Sequence, residues 1–182
     1  MKQLNSFEID GKKIIFRYPK LSDTKKIWKF YNRSIKESLQ KGGLLSSVKS
    51  VTLKEERIWI KNQIKKIKKK DCVYILAEQQ GKIIGTASVE RVRNAQSHAG
   101  VFGIVILEKF TGKGLGTMLM NKIIQLAKKE LKVEIIKLGV FGNNKRAQNL
   151  YTKLGFKETG RIKNGIKVKG RYQDEITMVK YF

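Results

Sequence analysis

Three glycines at alternate positions are the residues best placed to do chemistry: Gly112, Gly114 and Gly116 in Phe110-Thr111-Gly112-Lys113-Gly114-Leu115-Gly116-Thr117. Upstream lies Val101-Phe102-Gly103-Ile104-Val105-Ile106-Leu107, an apolar run rich in β-branched residues that reads as a buried strand. Downstream, Leu115, Leu119, Ile123, Leu126 and Ala127 recur at helical spacing and turn one face inward. Glycine lets the backbone turn tightly and approach a ligand with no Cβ in the way. The free N–H groups and positive dipole of the helix start then favour a phosphate or pyrophosphate. Strand, turn and helix form an anion cradle, although packing alone produces the same pattern. The spacing fits neither Gly-x-x-x-x-Gly-Lys-Ser/Thr nor the Gly-x-Gly-x-x-Gly of dinucleotide binders.

Other reactive side chains are scarce. Cys72 is the single cysteine and His98 the single histidine, which excludes an internal disulfide and a structural zinc site of the usual cysteine-rich kind. One cysteine fits a reducing cytoplasm. A chain of 182 residues fits one domain, with its core from about residue 12 to 182. At 41% hydrophobic and 30% charged the composition is that of a soluble globular protein. No apolar run approaches membrane-spanning length, and the start resembles no signal peptide. Against 15 Asp+Glu stand 40 Lys+Arg, for a net charge of +25. Such a field attracts nucleic acid, ribosomes and anionic cofactors and repels polyamines. A merely solvated, lysine-biased surface would carry the same charge.

The elements that must position the cradle read in order as follows. Residues 12–18 form a first strand, ended by Pro19, and Ser22 or Asp23 caps a helix on which Ile27, Tyr31 and Ile35 share a face. Residues 41–47 form a loop whose Leu44–Leu45 pair is placed to cover a pocket. A helix over about 52–70 carries Leu53, Ile60, Ile64 and Ile67 on one stripe and Lys61, Lys65, Lys66, Lys68, Lys69 and Lys70 on the other side. Strands at 72–78 and 82–90 make a hairpin through Gln79-Gln80-Gly81, and another strand covers 134–140. Asn143 or Asn144 caps a short helix with Ala147, Leu150, Tyr151 and Leu154 inward, closed by Gly155 and Phe156. The tail reads as two strands turning near Asn164-Gly165. The fold class is α/β with a mixed sheet.

The glycine turn, followed by Asn144-Lys145-Arg146-Ala147-Gln148-Asn149-Leu150-Tyr151-Thr152-Lys153-Leu154-Gly155-Phe156, resembles the GCN5-related N-acetyltransferase superfamily. The closing Gly170-Arg171-Tyr172-Gln173-Asp174-Glu175-Ile176-Thr177-Met178 resembles a last strand of branches that act on amino acids or protein N-termini. The resemblance implies a single acyl-CoA N-acyltransferase domain whose central sheet is splayed open, flanked by helices, with acetyl-CoA in the split. The pantetheine arm would pair with the strand edge at Ile104, Val105 and Ile106. The pyrophosphate would sit on the N–H groups of Gly112, Lys113, Gly114, Leu115, Gly116 and Thr117. Asn144 matches an asparagine that contacts the cofactor arm, and serves equally as a helix cap.

The implied chemistry is attack of a neutral amine on the thioester carbonyl. A backbone N–H near Ile104 or Val105 would stabilise the oxyanion, and Tyr151 matches the general acid that serves the departing thiolate. Two departures stand out. Thr111 occupies a position where the family usually has Arg or Gln. The glutamates that members often use as base are replaced by Val101 and Gly139, which leaves His98, Glu90 and Glu108 as candidates. A protein α-amino group, already substantially neutral near pH 8, needs less help than a lysine side chain.

Three readings follow: an N-acetyltransferase acting on an amino acid, protein N-terminus or other small amine; a ribosome- or nucleic-acid-associated protein acetyltransferase recruited through its lysine-rich helix; and a non-catalytic acetyl-CoA- or RNA-binding module. The acceptor is set by loops at 36–50 and 91–97 and by the last hairpin. The apolar tail strands allow a homodimer.

Overall fold

The computed structural model describes residues 3–41, 45 and 49–182. Eight strands make one sheet: β1 (Gln3–Ile9), β2 (Lys12–Arg17), β3 (Cys72–Gln79), β4 (Lys82–Arg91), β5 (Ala99–Ile106), β6 (Ile135–Phe141), β7 (Lys157–Val168) and β8 (Arg171–Tyr181), in the order β1-β2-β3-β4-β5-β6-β8-β7. Neighbours pair antiparallel except β5 and β6, so the sheet is mixed as expected. Helices α1 (Thr24–Gln40) and α2 (Leu53–Lys68) cover one face, packing Ile27, Phe30 and Ile60 on Tyr74, Leu76 and Ile83. Helix α3 (Leu115–Leu126) and helix α4 (Lys145–Lys153) serve the other face, where Leu115, Leu119, Met120, Ile123 and Tyr151 meet Val73, Ala87, Val89 and Phe102. Covered on both sides, β3 is buried along most of its length. No helix among the described residues is long and apolar enough to cross a membrane.

Several elements differ from the sequence expectation. Strand β1 precedes the first expected strand and extends the sheet edge. The tail hairpin reverses at Lys169 (φ 48°) and Gly170 (φ 79°), not at Asn164-Gly165. Asn164 (φ 57°) instead marks an irregularity inside β7, and its N–H donates to Asp174 Oδ1 at 3.2 Å. Leu53, at the start of α2, is exposed rather than part of the apolar stripe. Val101 faces outward at 47% exposure, so β5 is not the uniformly buried strand its composition suggests.

Asp23 precedes α1, but its carboxylate makes no cap there. It receives both terminal nitrogens of Arg17 at 2.7 and 2.8 Å and the Lys20 N–H at 2.8 Å, while Arg17 Nε reaches Glu78 at 2.6 Å. Burial alone would raise the Asp23 carboxyl, but the Arg17 and Lys20 hydrogen bonds outweigh it and hold the group below its usual range. The triad ties β2 to the start of α1. Replacing Arg17 with Met should lower stability by about 2 kcal/mol at pH 7, because Asp23 loses its cation and Glu78 keeps only Lys26 at 3.4 Å. Urea denaturation checks this. Asp23, with its depressed pKa, contributes stability that is lost as pH falls through its folded value, so wild type and variant should converge in acid.

Candidate active site

The cradle is built by strand, turn and helix as the sequence pattern suggests. After β5 a tight 3-10 turn at Glu108–Phe110 is locked to α1, where Glu37 accepts the Glu108 N–H at 2.9 Å. Glu108 in turn gathers Lys41 (2.6 Å) and Arg146 (3.2 Å). The hydrogen bond from Lys41, then that from Arg146, keeps its carboxyl below the usual range although burial opposes them. Gly112 (φ 75°) and Gly114 (φ 82°) hold left-handed conformations, and a Cβ at either would meet nothing within 4 Å. The turn therefore uses glycine for its backbone conformation and leaves open space in front of it.

In α3 the first helical bond runs from the Met118 N–H to the Gly114 carbonyl at 3.1 Å. The N–H groups of Leu115, Gly116 and Thr117 thus precede the helical ladder and stay available to an anion. The Leu115 side chain is wholly buried, so only its backbone can serve a ligand. Gly116 is needed for packing: a Cβ there would lie 3.0 Å from Leu150 Cδ2 of α4. Lys113 turns away and pairs with Asp10 in the β1–β2 turn. Arg146, from α4, bonds the Thr111 hydroxyl and so brings a guanidinium to the head of the cradle, where Thr111 itself offers no charge.

Beside the cradle the sheet opens. Strands β5 and β6 pair at Ala99–Ile135, Gly100–Ile136 and Val101–Lys137 and then diverge. A cleft of about 750 Å³ fills the gap, lined by Ile104, Val105 and Ile106 on one side and by Leu138, Gly139 and Val140 on the other. Its lining reaches Thr111, Asn144, Arg146 and Tyr151, while residues 112–117 lie beyond it. Of the Leu44–Leu45 pair, Leu45 lines the cleft and Leu44 is outside the described residues. Asn144, not Asn143, is the helix cap, and its Oδ1 accepts the Ala147 N–H at 3.2 Å. Tyr151 packs at 6.0 Å from Phe102 and 6.1 Å from Phe156, and burial pushes its phenol up to about 12. It stays protonated at any working pH.

The expected base candidates fare poorly. His98 is exposed and outside the cleft lining, and Glu90 lies outside it as well, paired with Lys66 at 2.6 Å. Glu108 lines the cleft but is committed to two cations. Glu56 of α2, which the sequence reading did not consider, is 5% exposed and lines the cleft. Burial raises its carboxyl to about 7. Local sequence offered little signal: Glu55 and Glu56 both sit in the first turn of a helix, where acids are ordinary.

Residues 39–156 match the model of the Acetyltransferase (GNAT) family, and the chain belongs to that family. The L-amino acid N-acetyltransferase AaaT of Escherichia coli (strain K12) is 30% identical over 101 residues, covering 55% of this chain and 62% of its own length. The [Ribosomal protein uS5]-alanine N-acetyltransferase of the same organism is 29% identical over 94 residues, covering 52% of this chain and 48% of its own. The chain thus spans about half to three-fifths of the length of these curated relatives. Among solved structures, yncA from Salmonella typhimurium, determined with its cofactor acetyl-CoA, superposes with a TM-score of 0.78 at 19% identity, covering 92% of this chain and 93% of that one. That likeness is one of fold.

Proposed function

We propose that the protein is an acetyl-CoA-dependent N-acetyltransferase that transfers an acetyl group to a primary amine by direct attack in a ternary complex. The observation that carries this reading is the divergence of β5 from β6 into a cleft that holds the buried Tyr151 and has the glycine turn beside its mouth. Unfilled glycine cradle, free first-turn N–H groups and a long apolar channel suit a phosphorylated, thiol-bearing arm. Residues 112–117 would hold the pyrophosphate by main-chain N–H groups, and Arg146 would supply the cation that Thr111 lacks. The unpaired edge at Ile104, Val105 and Ile106 would align the pantetheine arm, with Asn144 beside it, and a β5 N–H would meet the oxyanion. Tyr151 would donate to the departing sulfur.

For the acceptor, an amino acid, a protein N-terminus or another small amine fits best, because the net charge of +25 disfavours polycations. Among the curated relatives, two are named for an L-amino acid and for the alanine of a ribosomal protein, and another of 29% identity is a spermidine N(1)-acetyltransferase. The exposed lysines of α2, Lys61, Lys65 and Lys68, support a second form of the reading, in which a ribosomal target is recruited electrostatically. A gel shift with RNA that weakens steeply with salt would support that form, and absence of binding at low salt would remove it.

Calorimetric titration of acetyl-CoA into the folded protein tests the main reading. One site with a dissociation constant between about 1 μM and 1 mM is expected, the usual range for enzyme substrates. No binding at low salt would sink it.

A further inference from the structure

Resting on the acetyltransferase reading, we propose that Glu56, on the first turns of α2, is the general base that accepts the proton of the acceptor amine. The position is unusual for a surface helix. Its neighbour Glu55 closes a capping box with Thr52 at 2.7 and 3.2 Å. Both glutamates line the cleft, but Glu55 is exposed and bonded to Thr52, whereas Glu56 is buried and its side chain has no hydrogen-bond or ion-pair partner among the described residues. A buried carboxylate with no partner is a costly feature that packing does not call for.

The surroundings fit a proton acceptor. Tyr74 on β3 lines the same cleft, and burial first, then the charge of Glu56, raises its phenol. Trp59, one turn further along α2, stands edge-on to Tyr74 at 5.3 Å and completes an apolar wall. Tyr74, Ser88 and Gly103 occupy one row across β3, β4 and β5. Two strand spacings, about 10 Å, separate β3 from β5. An amine held over Ser88 and Thr86, which line the same cleft as Glu56, would lie between α2 and the β5 edge. The other titratable groups of the cleft are Glu55 on α2, Tyr74 on β3, Tyr31 and Glu37 on α1, the Lys41–Glu108–Arg146 cluster and Tyr151. Glu37 accepts from Arg33 and from the Glu108 N–H, Glu55 accepts from Thr52, and the cluster is paired within itself, leaving Glu56 as the cleft carboxylate with no partner among the described residues.

The step balances. The neutral amine nitrogen forms the N–C bond as the C–S bond breaks, its surplus proton passes to Glu56, and the electron pair leaves on sulfur beside Tyr151. Glu56 then releases that proton to solvent as products depart. One rival exists on the far side of the split: Glu175 Oε1 of β8 lies 3.8 Å from where a Cβ at Gly139 would stand.

The test compares wild type, Glu56→Gln and Glu175→Gln by CoA release from acetyl-CoA between pH 5.5 and 9. Two probes are used, a hexapeptide beginning with alanine and hydroxylamine, a much weaker base that is uncharged at neutral pH and whose surplus proton water can take. Glu56→Gln should lose about 100-fold in kcat with the peptide and lose the rise through pH 7, yet stay within about threefold with hydroxylamine and in acetyl-CoA affinity. It should also melt a few degrees higher than wild type at pH 8, with the gain shrinking as pH falls and vanishing below the ordinary glutamate range. Glu56 ionises earlier in the unfolded chain than in the folded one, so its penalty grows between the ordinary and the raised pKa and is complete only above about 7. Equal loss with both probes, an unchanged pH profile, or transfer of the pH effect to Glu175→Gln would overturn the assignment. A wild type that neither binds acetyl-CoA nor releases CoA with either probe removes the acetyltransferase reading, and the base with it.

Discussion

Replacing Gly114 with Glu should abolish acetyl-CoA binding, with a loss of at least about 100-fold, while the protein stays folded. Gly114 has φ 82°, and nothing lies within 4 Å of a Cβ placed there. The new side chain therefore projects into open space and strains only the backbone, at about 1–2 kcal/mol. It brings a carboxylate to the N-terminus of α3, which the helix dipole tolerates well. That is the place where a pyrophosphate would lie, so the two anions compete for the same N–H groups. Gly114→Ala separates the effects, since it adds the strain without the charge and should cost less than about tenfold. Calorimetry on the three proteins gives the answer. Wild-type affinity in Gly114→Glu would mean that the turn is a packing device and that the anion sits elsewhere.

What the sequence made legible is what local pattern alone controls. Leu115, Leu119, Ile123, Leu126 and Ala127 are all buried, because helical periodicity dictates which face packs whatever the partner. Gly155 has φ 83° and Phe156 is buried behind it, since a left-handed cap demands glycine and an apolar follower. The misses have a common cause in tertiary context. Asn-Gly is the strongest short hairpin signal, yet Asp174 captures the Asn164 N–H and turns that pair into an irregularity, so β7 continues to Lys169-Gly170. Strand β1 has short, polar alternation and exists by pairing with β2 from Gln3 to Ile9. Glu56 could not be told from Glu55 locally. What distinguishes them is the apolar wall of Tyr74 and Trp59, which only the folded sheet supplies.

The same distinction between local and tertiary control governs Tyr151. Its spacing with Ala147, Leu150 and Leu154 marks it as an inward residue, and the structure adds that its inward face opens on the cleft. Tyr151→Phe should lower kcat by about 10²–10³-fold and leave acetyl-CoA affinity unchanged. The phenol, raised to about 12 by burial, holds its proton far more tightly than a departing thiolate would take it. Complete transfer from oxygen to sulfur would thus be uphill, and in the proposed reaction Tyr151 would donate a hydrogen bond as negative charge develops on sulfur. Such a donor matters more in the transition state than in the ground state, so its removal should fall on kcat and spare binding. Phe keeps the ring packing against Phe102 and Phe156, and the lost hydroxyl breaks no hydrogen bond among the described residues. The variant's melting temperature should therefore match or exceed that of wild type. Because the phenol titrates so high, wild-type activity should show no falling limb from this group up to pH 9. A kcat within threefold of wild type would reduce Tyr151 to a core aromatic and leave the departing sulfur to solvent.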